Sequence, residues 1–411
     1  MHTENAPSRA ARAIVIAVVL IAAVTARTAF LNFQSGDYRA FLLPWYQFIQ
    51  QNGGLSALRY NFSDYNAPYL YLLVVLTHIP VSPLLGVKLI SMVFDFLLGY
   101  FAYRIVALRH PDSWWPVLAG AAVVLLPTVV VNSSMWGQAD AIYSAFGVGG
   151  VYFLLRKRPW SACVFFGLAL GFKLQIVFLF PLLLLLVLRK QIPWPALLLI
   201  PGVYLALDIP ALLVGADPHT LLTVYLAQTG SYSQLTLGAP NVYQFLDPNL
   251  TSSAIKTGGV VVTGLLALGL VVAAAAKRVE LTTTRIVLAA TLSVLLVPYL
   301  LPAMHERYFY LADVLTVMAA CYLPLKLWAL PVLTQFASLY SYLPFLTMRG
   351  GGGDTSIVDR KILAAVMLAA LLLAGWAAVS SWRSSSPTGP VPAPRPTPLD
   401  RLRGPRTANS R

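Results

Sequence analysis

The chain has 411 residues, 58% of them apolar and only 11% charged, with a mean hydropathy of +0.71. Apolar stretches near the ~20 residues that carry a helix across ~30 Å of hydrocarbon recur along it, which excludes an ordinary soluble fold and marks a polytopic membrane protein. The formal net charge of +14 does not point to nucleic acid, because Lys and Arg gather at the ends of apolar runs and in the C-terminal tail, as the positive-inside rule requires.

Residues 1–12 carry Arg9 and Arg12 ahead of an apolar run at 13–31 and lack a small-residue cleavage pattern, so they read as a cytoplasmic N-terminus before an uncleaved first span. Residues 32–66 then form a first external loop. The segment PYLYLLVVLTHIP at 68–80 is too short to span and suits an interfacial or re-entrant placement. A span at about 84–107 ends at Arg104, Arg109 and His110, which belong inside. Residues 116–131 lead out to WGQAD, and 140–155 return to Arg156, Lys157 and Arg158. Residues 160–188 cross twice with GFKLQ at the turn, because Arg189 and Lys190 are again cytoplasmic. Residues 194–213 lead to a long external loop at 214–253, and 255–276 return to Lys277 and Arg278. Residues 285–302 carry MHER outside, and spans near 308–324, 327–346 and 361–381 bring the expected count to twelve. The loop MRGGGGDTSIVDRK falls outside despite its three basic residues, and the Pro-, Arg- and Ser-rich tail at 383–411 reads as disordered cytoplasmic chain able to touch anionic lipid. No polar segment is long enough to bury a separate core, so 13–346 is one membrane domain with functional loops. Cys163 and Cys321 lie inside apolar runs and read as packing residues.

This topology puts five polar clusters on one side of the membrane: SGDY at 35–38, FSDY at 62–65, SMWGQAD at 134–140, GFKLQ at 171–175 and MHERY at 304–308. Each admits a structural and a chemical reading. Asp37 is either the cap of an interfacial helix or a general base at the membrane surface. Asp64 either satisfies turn donors or binds substrate. Trp136, Gln138 and Asp140 combine an interfacial anchor and a helix cap with a polar constellation. Lys173 and Gln175 either snorkel to the interface or line a polar cavity that holds an anion, because a lysine left in hydrocarbon costs roughly 2.5–3.5 kcal/mol even on the gentlest scale. His305, Glu306 and Arg307 close a leucine-rich span and form either a structural ion pair or, the favoured reading, a phosphate site with His or Arg donating and Glu orienting them. Lys88, Asp95, Asp208 and Asp313 are charges inside spans and candidates for pairing within the bundle.

In this order SGDY, SDYNAPYLYLL, MWGQADAIY, GFKLQ, LGAPNVYQF at 237–245 and LPAMHERYF resemble the bacterial relatives of the GPI-anchor mannosyltransferases, over about residues 13–346. These are GT-C glycosyltransferases that use a polyprenyl-phosphate sugar. The resemblance implies an all-α GT-C-type bundle of about twelve transmembrane helices with external catalytic loops, in a bacterial plasma membrane and with its active site outside. It implies an inverting hexosyl transfer, with mannose as the sugar, to a hydroxyl of a glycan, glycolipid or protein. Asp37 would be the base, and Arg307, His305 and Lys173 would meet the donor phosphate. Asp64, Tyr65, Trp136, Gln138, Asp140, Gln175, Glu306 and Asn241 would line the substrate site. The single Asp37, where some GT-C enzymes carry paired acids, favours a lone base over a metal bridge; no cofactor is expected, and a divalent metal stays open. A transporter or flippase is the alternative, since twelve spans with intramembrane charges also describe carriers. Its expected symmetric halves and midplane site find no counterpart in the motif placement.

Overall fold

The computed structural model describes residues 7–230, 232–247, 250–277, 279–347 and 356–383. Residues 1–6, Arg278, most of the glycine-rich loop and the tail lie outside the described residues, and with them the expectations placed there. The described chain is helical almost throughout, an all-α membrane protein.

Helix α1 (Arg9–Thr28) is capped by the Ser8 hydroxyl and leaves nearly all its apolar surface exposed, as a helix facing lipid does. The segment between α1 and the next long helix holds the short helices α2 (Leu43–Gln51) and α3 (Ala67–Leu76). At ten residues α3 is too short to cross hydrocarbon, as expected of 68–80. Helix α4 (Pro83–Ala107) starts on a Ser82 cap with proline in its first turn, where the missing N–H costs nothing. The next span is not straight. Helix α5 (Trp115–Leu125) stops at Leu126, and α6 (Pro127–Val130) continues into a π-helical turn (Val131–Trp136), the two halves meeting at 46°.

Helices α7 (Asp140–Leu155) and α8 (Pro159–Phe172) follow, and Lys173 sits in extended backbone before a 3₁₀ turn (Leu174–Leu179) and α9 (Phe180–Leu188). GFKLQ is therefore the break between two helices, as its polarity implied. Helices α10 (Leu199–Leu213) and α11 (Pro218–Gly230) bracket the start of the long 214–253 segment, and α12 (Ser253–Ala276) and α13 (Thr283–Leu300) follow it. Helices α14 (Tyr310–Tyr322), α15 (Pro324–Leu327), α16 (Ala329–Thr347) and α17 (Arg360–Arg383) complete the bundle.

Among the described residues six helices are long and apolar enough to cross a membrane, or seven if the bent α5–α6 pair counts as one span. The twelve expected crossings need the shorter helices as well. Two of those are short because they are central: α7 buries every side chain except Phe146 and Phe153, and α14 every one except Ala320. Close approach is made possible by small residues. A Cβ on Gly99 of α4 would stand 2.4 Å from Val124 of α5, and one on Gly120 would stand 3.1 Å from the Gly99 carbonyl. Cys163 and Cys321 are buried free thiols within this packing.

The intramembrane charges divide in two. Asp95 of α4 is fully buried and receives Arg27 of α1 at 2.8 and 3.1 Å, Ser133 of the π-helical turn at 2.5 Å, and Tyr310 of α14 at 3.4 Å. Lys88 donates to the carbonyls of Phe30, Leu31 and Phe33 at 2.7, 3.1 and 2.6 Å, which satisfies the open C-terminal end of α1. Asp313 instead faces neutral donors, with Ser338 at 2.9 Å and the Thr128 hydroxyl beside it, and Asp208 faces the side-chain amide of Asn66 with no hydrogen bond within 3.5 Å among the described residues.

Candidate functional site

The helix ends that carry the polar clusters are irregular, and the irregularity places those clusters. Beyond α1, Ser35 donates to the Trp136 carbonyl at 2.7 Å, tying the first loop to the π-helical turn. Asp37 follows at the start of a second π-helical turn (Tyr38–Leu42) that runs into α2. Gly137 adopts φ +79°, a left-handed conformation that glycine enters without a Cβ penalty, and so turns the chain sharply between Trp136 and Gln138. Ser91 of α4 then fixes the Gln138 carbonyl at 2.6 Å.

The result is a shared carboxylate. Oδ2 of Asp37 accepts from Trp136 Nε1 at 3.1 Å and from the side-chain amide of Gln138, while no described residue donates to Oδ1. The Tyr65 hydroxyl reaches Gln138 Oε1 at 3.4 Å, so FSDY joins SGDY and WGQAD.

A second carboxylate organises the cations. Asp140, at the first turn of α7, accepts from Lys173 Nζ at 2.6 Å on Oδ1 and from Asn132 Nδ2 at 2.9 Å on Oδ2. Arg307 Nε lies 3.7 Å from the same Oδ2, too far for a hydrogen bond, and is a buried N–H donor without a partner. Its guanidinium stands 5.5 Å over the Trp136 ring, and Lys173 stands 5.6 Å over Tyr65. Both Asp140 oxygens are thus held by protein groups, and its geometry is that of a counter-ion rather than of a free acceptor for sugar hydroxyls.

The MHERY segment is held by the long segment between α11 and α12. Strands β1 (Thr236–Leu237) and β2 (Met304–His305) pair in parallel, with Thr236 opposite Met304 and Leu237 opposite His305. Glu306 is buried; its Oε1 accepts from Arg307 Nη1 at 2.7 Å, and His305 Nδ1 lies 3.6 Å from its Oε2. Burial pushes the Glu306 carboxyl up, but the His305 contact and the Arg307 charge outweigh it and hold the group below the usual glutamate range.

All five clusters therefore meet through Asp37, Tyr65, Trp136, Gln138, Asp140, Lys173 and Arg307, and Glu306 and His305 lean on Arg307. The remaining candidates sit differently. Asp64 is exposed, and its backbone carbonyl accepts from Gln228. Asn241 is fully buried and donates to the Leu301 carbonyl at 3.1 Å, so its amide fastens the long loop to the segment before MHERY. Gln175 is buried beside Tyr308 with Oε1 unpartnered. Among the described residues no three His, Cys, Asp or Glu side chains are grouped as a metal site.

Sequence reasoning missed Arg27, Ser91, Asn132 and Ser133. The signal was present for three of them: an arginine within the first apolar run, and Asn132 and Ser133 one helical turn ahead of Trp136. Asn132 opens an Asn-X-Ser triplet, yet it is fully buried.

No family model matches the chain. Over 127 residues, 30% of its length, it is 28% identical to GPI mannosyltransferase 1 of Dictyostelium discoideum, and the chain spans 28% of that protein's length in the match.

Proposed function

We propose that this chain is an inverting GT-C-type glycosyltransferase of about twelve crossings that moves a hexose, mannose by its relative, from a polyprenyl-phosphate carrier to an acceptor hydroxyl at the outer face of a bacterial plasma membrane. The observation that carries the reading is the pairing of one half-buried carboxylate, Asp37, with a buried cationic cluster, joined through Trp136 and Gln138.

An acceptor hydroxyl is a weak nucleophile and needs a base in the transition state. Asp37 presents Oδ1 for that proton while Trp136 and Gln138 hold Oδ2. The acceptor oxygen forms its bond to the anomeric carbon as the bond from that carbon to the carrier phosphate breaks. The electron pair leaves on the phosphate, so the departing group is an anion that needs donors more than protonation. Arg307 has a buried N–H free for a phosphate oxygen, and Lys173 and His305 add to it. Asp140 and Glu306 hold these cations in place and keep the site from being an indiscriminate anion trap. A single displacement by one base inverts the anomeric centre.

An apolar groove of about 630 Å³ runs between α8, α9, α10 and α12, lined by residues such as Leu170, Phe180, Leu184 and Leu268. Leu170 is three residues from Lys173, which suits a prenyl chain whose phosphate ends at the cations. The reading is tested by incubating purified protein with radiolabelled polyprenyl-phosphate sugars: consumption of one of them by wild type is expected, and indifference to all of them overturns it.

A further inference from the structure

A second cavity lies beside the cluster, at the outer surface between the first external loop and the α10–α11 connection. It measures about 100 Å³ and is walled by Tyr60, Phe62 and Tyr65, with Arg59, Asn66 and Asp217 among its polar groups. One ordered water needs roughly 10–15 Å³ on the same measure, so the space holds something larger than a water or two.

Three features identify the ligand chemistry. The walls combine aromatic faces with a guanidinium, an amide and a carboxylate, the set that meets the C–H faces and hydroxyls of a sugar ring. One Arg and one Asp leave the lining formally neutral, and among the described residues the two form no ion pair with each other. A neutral polyol suits this better than a phosphate, whose cations are gathered at Asp140. A buried acceptor also remains open here: Asn66, in the cavity lining, donates to the Gly171 carbonyl at 3.2 Å, but its Oδ1 has no hydrogen-bond partner among the described residues. Tyr65 belongs to both places. It lines this cavity, and its hydroxyl reaches Gln138, which holds Asp37.

We infer that this cavity is a subsite for a neutral sugar ring of the acceptor, seated on Tyr60, Phe62 and Tyr65 and presenting its free hydroxyl past Tyr65 toward Asp37. Its role as the acceptor subsite rests on the transferase reading above; sugar binding in the cavity does not.

The test is saturation-transfer NMR on the full chain in nanodiscs free of glycosidic detergent, with methyl α-mannopyranoside, methyl β-glucopyranoside and myo-inositol as probes. Wild type and Asp37→Asn should both transfer saturation to at least one probe. Arg59→Ala, which removes an exposed charge, and Val224→Phe, which fills the cavity from α11, should each reduce that transfer at least five-fold without lowering the melting temperature. In turnover the same two variants should raise the acceptor KM about ten-fold and leave kcat and the donor KM unchanged. Equal saturation transfer in wild type and both variants, or none to any probe, overturns the subsite. Sugar binding that both variants abolish, in a protein that consumes no lipid-linked sugar, supports the cavity and removes the transferase reading instead.

Discussion

Lys173 and Asp140 stand 2.6 Å apart, both buried, at two helix ends 33 residues apart along the chain: Asp140 opens α7 and Lys173 follows α8. Neither charge has bulk water to solvate it, so each depends on its partner. Removing one member of such a pair leaves an uncompensated buried charge and costs about 3–5 kcal/mol. Asp140→Ala strands Lys173 and weakens the hold on Arg307, so it should lower the melting temperature sharply and abolish transfer. Lys173→Met should be similarly damaging, because Asp140 would keep only Asn132 and the distant Arg307. Thermal unfolding of both variants in detergent checks this; a melting temperature within a degree of wild type would refute the dependence.

Asp37→Asn should leave folding and membrane insertion intact, because Asp37 is half-buried and an amide oxygen still accepts from Trp136 and Gln138. Transfer should fall by roughly 10²–10⁴, the usual contribution of general-base catalysis. Trp136→Phe removes one of the two donors, and about 1 kcal/mol of lost orientation corresponds to a several-fold fall in kcat. Steady-state rates of the two variants, measured side by side, separate the base from its holder.

Arg27→Leu should destabilise the protein by about 3–5 kcal/mol, because Asp95 would keep only Ser133 and Tyr310 as donors. The double variant Arg27→Leu/Asp95→Leu should recover much of that loss, since an apolar pair of similar volume avoids the desolvation cost of both ions. A double variant less stable than Arg27→Leu would contradict this.

The Glu306 carboxyl is held below its usual range, so its ion pair contributes stability that is fully present above the unfolded value near 4.3 and is lost as pH falls through the lower folded value. Wild type should therefore lose melting temperature in acid more steeply than Glu306→Gln does, with the two curves converging as pH drops below about 4. Parallel curves between pH 3 and 7 would show that Glu306 carries no such linkage.

Much of this was legible in the sequence, for physical reasons that can be named. Lys173 between two leucine-rich runs was expected to snorkel or to line a polar cavity, because a lysine in hydrocarbon is costly, and it sits at a helix break beside the buried Asp140 carboxylate. The placement of Lys and Arg at span ends grouped the polar clusters before any contact was visible. What it did not reveal was pairing. Asp140 read as a helix cap with polar neighbours, and nothing in SMWGQAD says that Lys173 and Arg307 converge on it. The bend at Leu126 and the π-helical turn after α6 were also hidden, since a proline signals a break but not the angle that brings Trp136 under Arg307. Asn241 looked like a substrate contact because it lies in a polar loop, whereas burial shows an amide fastening that loop to Leu301.

The most direct measurement follows a doubly labelled polyprenyl-phosphate mannose in sealed vesicles containing the purified chain and acceptor glycolipids. The account predicts that wild type releases free polyprenyl phosphate in step with a new glycoside, and that Asp37→Asn does neither. A wild-type protein that leaves the carrier intact while moving it across the bilayer would contradict it and identify a flippase instead.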